Sequence, residues 1–92
     1  MSRPKILAAI LNEHGIQVQS IEFAEEGMDH ELNITDKVSV QVSALESPYV
    51  IVSALVDNGK AFQHWPTRKM GQFDLIETDI RAAIAETTGG AS

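Results

Sequence analysis

From Val38 to Ala44 the chain reads Val-Ser-Val-Gln-Val-Ser-Ala. Strict alternation of apolar and polar residues describes a β-strand with one buried face and one wet face. Such a face needs cover, and both ends of the chain supply it. Near the start, Ile6, Leu7, Ile10 and Leu11 recur at i, i+1, i+4 and i+5, which is one apolar stripe of an amphipathic helix. Near the end, Phe73, Ile76, Ile80, Ala83 and Ile84 repeat the helical period. Asp74, Glu77 and Asp79 crowd its N-terminal half, where the helix dipole favours negative charge. The expected order is therefore helix, four or five antiparallel strands, helix. This is an α+β fold, a two-layer sandwich with both helices on the apolar side of the sheet.

Boundaries follow from turn chemistry. Ser2 is a candidate N-cap, Pro4 suits a first helical turn, and Gly15 ends a first helix over about 3–14 by reaching the left-handed conformation without steric cost. From Ile16 the period becomes two, but Ile16 and Val18 have the opposite parity to Ile21 and Phe23. A β-bulge near Gln19 and Ser20 would restore the face. Glu25, Glu26 and Gly27 make a turn, His30 to Ile34 is a short strand, and Ser47 and Pro48 turn the chain after the alternating strand. Tyr49 to Val56 is apolar on both parities, the pattern of a central strand. Asp57, Asn58 and Gly59 form a hairpin turn, since Asn-Gly tolerates positive φ. A return strand from about Lys60 to Trp65 stops at Pro66, and Thr67 to Gly71 is a basic connection into a second helix over about 72–86. The expected core is Ile6, Leu7, Ile10, Leu11, Val18, Leu32, Val40, Val42, Ile51, Leu55, Phe62, Phe73, Ile76, Ile80 and Ile84. A chain of 92 residues holds one such core, so 1–86 form one domain, with 87–92 as a frayed tail.

Composition narrows function by exclusion. A hydrophobic fraction of 43% with 22% charged residues is ordinary for a soluble globular domain. With no cysteine, the fold holds by packing without disulfides or thiolate metal sites, and a cytoplasmic location is expected. The apolar run that ends at Leu11 is too short and polar-flanked for a secretory or membrane segment. A formal net charge of −6 opposes non-specific attraction to nucleic-acid phosphates or anionic lipid.

Catalytic patterns are missing too. His14, His30 and His64 lie far apart without metal-ligand spacing, so no metal and no cofactor is expected. On a strand, His30 points away from its neighbours Asp29 and Glu31. Ser39, Ser43 and Ser53 sit in strands without a glycine elbow, and Gly59, Gly71, Gly89 and Gly90 match no phosphate loop. An enzyme is not expected.

What remains is binding. From Ile6 to Asp36 the chain carries Glu13, Glu22, Glu25, Glu26, Asp29, Glu31 and Asp36 without Lys or Arg, whereas from Asn58 to Phe73 it carries Lys60, Arg68 and Lys69 without a carboxylate. This partition makes Glu22, Glu25, Glu26, Asp29 and Glu31 candidates to meet a basic protein surface. The segment Phe62 to Met70, with Trp65 beside Arg68 and Lys69, is a second candidate, because Trp and Arg are favoured at interface hot spots and an indole beside cations also suits a nucleobase or phosphate. A third is the even-numbered face of the central strand: if Val50, Val52, Ala54 and Val56 lack a covering helix, they form a homodimer or partner face.

The helix, strands, helix order over 3–86 resembles that of the double-stranded-RNA-binding domain. That resemblance implies RNA binding through a basic cluster at the start of the second helix, which here is reduced to Arg68 and Lys69, upstream of Gln72, Phe73 and Asp74. Small size, acidity and a cysteine-free α+β plan are also similar to phage-encoded inhibitors of host defence nucleases and to immunity proteins. The expectation carried forward is a small acidic, non-enzymatic protein-binding module, an inhibitor or accessory protein covering a basic surface of a nucleic-acid-handling target. A nucleic-acid binder and a homo-oligomeric structural subunit are the alternatives.

Overall fold

The computed structural model describes residues 3–23, 29–43, 49–57 and 59–88 of the chain. The candidate cap Ser2 and the turns at Glu25 to Gly27 and at Ser47 and Pro48 lie outside these residues. The first helix, α1, spans Arg3–Glu13 and buries Pro4, Leu7, Ala8 and Leu11, so the stripe is rotated from the expected one and Ile6 faces outward. Its C-terminus explains the break in strand parity. Gly15 has φ 82, its N–H donates to the Asn12 carbonyl at 3.2 Å, and the Ile16 N–H donates to the Leu11 carbonyl at 2.9 Å. These two bonds are the Schellman arrangement, in which the residue after the left-handed glycine packs back on the last helical turn. Ile16 is buried beside Leu11 in the core cluster. The parity slip is therefore a helix cap and not the expected β-bulge.

The strands are β1 (Ser20–Glu22), β2 (His30–Asn33), β3 (Val38–Val42), β4 (Tyr49–Val56), β5 (Ala61–His64) and β6 (Arg68–Lys69), followed by α2 (Phe73–Thr88). They form one antiparallel sheet in the order β1-β2-β3-β4-β5, with β6 also on β4. The α+β sandwich of the sequence reading is thus the observed architecture. The expected basic loop contributes a sixth strand, and α2 continues through Thr87 and Thr88, which the sequence reading placed in a tail.

One edge of β4 pairs β5 through residues 53–56 and β6 through 49–50. Between them the Trp65 N–H donates to the Val52 carbonyl at 2.9 Å. The next residue, Pro66, has no N–H to offer the ladder, and the chain leaves the sheet there before rejoining it at Arg68.

Both helices cover the same sheet face. Leu7 and Leu11 of α1 and Ile76 and Ile80 of α2 belong to one buried cluster with Leu32, Val40, Val42, Val50 and Val52. Here the parity expected for β4 is corrected. The register pairs Val38 with Ala54, Val40 with Val52 and Val42 with Val50, so the even-numbered residues of β4 lie under the helices. Val50 and Val52 are 0% exposed and Val56 packs against the core, which withdraws all three as a free oligomer face. Ile51 and Leu55, expected inside, are on the uncovered side with Phe62. A strand apolar on both parities leaves its orientation to the register imposed by its partner.

Polar contacts tie the helices down. The Arg81 guanidinium donates to the His14 carbonyl at 2.8 Å, capping α1. His14 Nδ1 lies 2.9 Å from Glu77, and the His14 ring meets Phe73 edge-on. On the buried stripe of α2, Asp79 is only 4% exposed and accepts two bonds from Arg68, at 2.8 and 3.1 Å. A buried carboxylate needs such a partner. The Asp79 carboxylate in turn raises the affinity of Arg68 for its proton above the ordinary value.

Candidate interaction surface

Because side chains alternate across a strand, the register that turns the valines of β3 and β4 toward the helices turns Ser39, Gln41, Ile51, Ser53 and Leu55 away from them. Glu22, Glu31 and Asn33 share that open face on the β1 and β2 side, and Phe62 and His64 share it on β5. No described helix covers it.

Its middle is a hydrogen-bonded row across four strands. Gln41 Nε2 donates to Glu31 Oε1 and to Ser39 Oγ, each at 3.2 Å. Ser53 Oγ donates to Gln41 Oε1 at 2.8 Å and lies 2.7 Å from His64 Nδ1. The direction of the row follows from Glu31, since an ionised carboxylate only accepts. Gln41 must therefore turn its NH2 to Glu31 and its oxygen to Ser53, whose proton is committed to that oxygen. Only Ser53 lone pairs remain for His64, so His64 Nδ1 carries the proton in their bond. This is the reverse of a base-activated hydroxyl, in which the histidine nitrogen accepts the serine proton. Ser53 is moreover just 2% exposed. Among the described residues no group of three His, Asp or Glu side chains is placed to hold a metal ion.

The two ends of the face differ. At one end Glu22 and Glu31 are directly opposite each other, an arrangement of like charges that costs stability. Amides soften it: Asn33 Nδ2 donates to Glu22 Oε2 at 3.2 Å while Gln41 serves Glu31. At the other end Phe62 is 69% exposed, opposite Leu55 and nearly parallel to the His64 ring, with centroids 6.2 Å apart. Between the ends lies a groove of ≈ 210 Å³ whose walls include Glu31, Asn33, Lys37, Leu55 and Phe62. Tyr49 closes the far corner by donating its hydroxyl to both Asp29 oxygens, at 3.0 and 2.9 Å. That bond, with burial second, raises the phenol pKa above 10.0.

The residues expected to bind are thus divided. Glu22 and Glu31 are on the open face, Asp29 holds Tyr49, and Glu25 and Glu26 lie outside the described residues. Trp65 is partly buried against the core and Arg68 is engaged by Asp79, so neither joins the open face. Lys69, paired with Tyr49, falls on the open side. The sequence reading missed Gln41 and Ser53, while Phe62 and His64 fell inside its second candidate segment without being singled out. A signal for them existed, because Tyr49 and Ser53, the polar members of β4, share one parity and mark its wet face.

No protein family matches this chain, and comparison with curated proteins and with solved structures found no match. The class that fold and site define is an α+β sandwich with one helix-covered and one open sheet face. No helix among the described residues is long and apolar enough to cross a membrane.

Proposed function

We propose that this chain is a small, acidic, non-enzymatic protein-binding module that meets its partner with the open face of its sheet. One observation carries this reading: Phe62, 69% exposed, stands with Leu55 on a face no described helix covers, and the opposed carboxylates Glu22 and Glu31 share that face. The apolar end supplies affinity once water is excluded, and the charges at the opposite end raise association rate and reject wrong partners. The sign of those charges favours a basic target surface. The protein then acts as an inhibitor or accessory factor that covers a nucleic-acid-handling site in the cytoplasm, in keeping with its net charge of −6 and lack of cysteine. A direct nucleic-acid role draws less support, because Arg68 is held by Asp79 and Trp65 packs on the core.

Tagged wild-type, Phe62→Asp and Glu22→Lys/Glu31→Lys proteins, used as bait in lysate of the native host with and without nuclease, test the reading. A stoichiometric, nuclease-resistant partner retained by wild type and lost by Phe62→Asp is the expected result. A partner held equally by all three baits places binding elsewhere, and one that disappears with nuclease favours nucleic acid.

A further inference from the structure

The groove between β2 and β5 presents a particular chemistry. The Asn33 and Gln41 amides have their NH2 groups turned onto Ser20, Glu22, Glu31 and Ser39, so their donors are spent within the face. What stays unbonded among the described contacts is acceptor: the second oxygen of Glu31, the carbonyl oxygen of Asn33 and, at the exposed rim, the carboxylate of Asp36. Glu31 and Asn33 line the groove with Leu55 and Phe62. No ion pair engages Glu31 among the described residues; those formed join His14 to Glu77, Arg68 to Asp79 and Arg81 to Glu77. Lys37 lines the groove as well and is its one cation among the described residues.

We infer that this groove seats an arginine side chain of the protein partner, with its stem on Leu55 and Phe62 and its guanidinium on Glu31 and Asn33. The inference rests on the open face being the contact surface. Guanidinium is favoured over ammonium for three reasons. Its planar fork delivers several donors to a carboxylate and a neighbouring amide oxygen at once. It is more weakly hydrated, so it leaves water more readily, and it stacks on an exposed aromatic ring such as Phe62. Lys37 then acts as a competitor at the rim, so its removal should help binding.

The test uses the whole chain labelled with nitrogen-15, titrated with N-acetyl-arginine methylamide and, in parallel, with its lysine counterpart. Expected are saturable shifts at the Asn33 and Gln41 side-chain amides and the Leu55 and Phe62 backbone amides. Binding should be about tenfold weaker in Glu31→Gln, the loss of one charge-assisted contact, tighter in Lys37→Ala, and weaker for the lysine probe. Shifts spread over unrelated carboxylates such as Glu13, Asp57 and Glu86, or unaltered by Glu31→Gln, would overturn it. Equal binding of the two probes would do the same. If these fail while Phe62→Asp still loses the captured partner, only the arginine chemistry falls. If Phe62→Asp keeps the partner, the contact surface itself is elsewhere.

Discussion

The two faces of this sheet are made by the same strands and differ in how they settle polar groups. Under the helices the side chains are mostly branched and apolar, and the one charge buried there among the described residues, Asp79, is neutralised at once by Arg68. On the open face polar groups are plentiful and linked in a row from Glu31 to His64, yet the largest apolar group, Phe62, is left in water. The covered face holds the molecule together. The open face is tied together by hydrogen bonds without cover from any described helix, and this is the condition for a preformed contact surface.

The comparison breaks first on stability. Leu7→Ala or Ile80→Ala, at fully buried sites, should cost about 2–5 kcal/mol through lost burial and a residual cavity. Phe62→Ala should stay within ~0.5 kcal/mol, as exposed substitutions do. Urea denaturation decides, and an equal cost at Phe62 would mean that this ring is packed. Next comes the buried ion pair. Asp79→Leu alone should lower the unfolding midpoint more than Arg68→Met and Asp79→Leu together, because the single change leaves a cation facing an apolar site. A double variant as poor as the single would show that the pair stabilises in its own right.

Gly15→Ala should cost ~1 kcal/mol, the penalty for a β-carbon in the left-handed region. An added Cβ there meets nothing within 4 Å, so a larger loss would reveal a packing role for the cap. On the open face, Tyr49 gives a pH signature. Its folded pKa is raised by the bond to Asp29, so its contribution is fully present below pH ~10, the unfolded phenol value, and is lost as pH rises through the folded one. Thermal melts above pH ~10 should show a decline that Tyr49→Phe lacks. The smallest effect is spectroscopic. In the neutral imidazole, nitrogen-15 spectra should place the His64 proton on Nδ1, and a proton on Nε2 would reverse the row.

Much of the covered side was legible in the chain. The alternation of Val38 to Val42, the helical stripe Ile76, Ile80 and Ala83 and the glycine at position 15 act locally, so their patterns survive in one dimension. The open face was legible only in part. Glu22 and Glu31 were singled out for charge, but Phe62 was assigned to the core because apolar character alone does not say which face a strand residue takes. Trp65 and Arg68 looked like a binding pair because they are near neighbours in the chain. Partners distant in sequence claim them instead: Asp79 lies on the buried stripe of α2, and the indole packs, partly buried, against the core.

By itself, the sequence determined two amphipathic helices, an antiparallel set of strands between them, the turn after β4 and the acidic character of the first third, since period, turn chemistry and charge are properties of neighbouring residues. Tertiary structure alone decided which parity of β4 is buried, where Arg68 finds its counter-charge and how Glu31, Gln41, Ser53 and His64 join into one row. Each depends on register between strands or on packing between elements remote along the chain. A shift of a single residue in that register would exchange Val52 for Ile51 beneath the helices and with it the whole surface the protein presents.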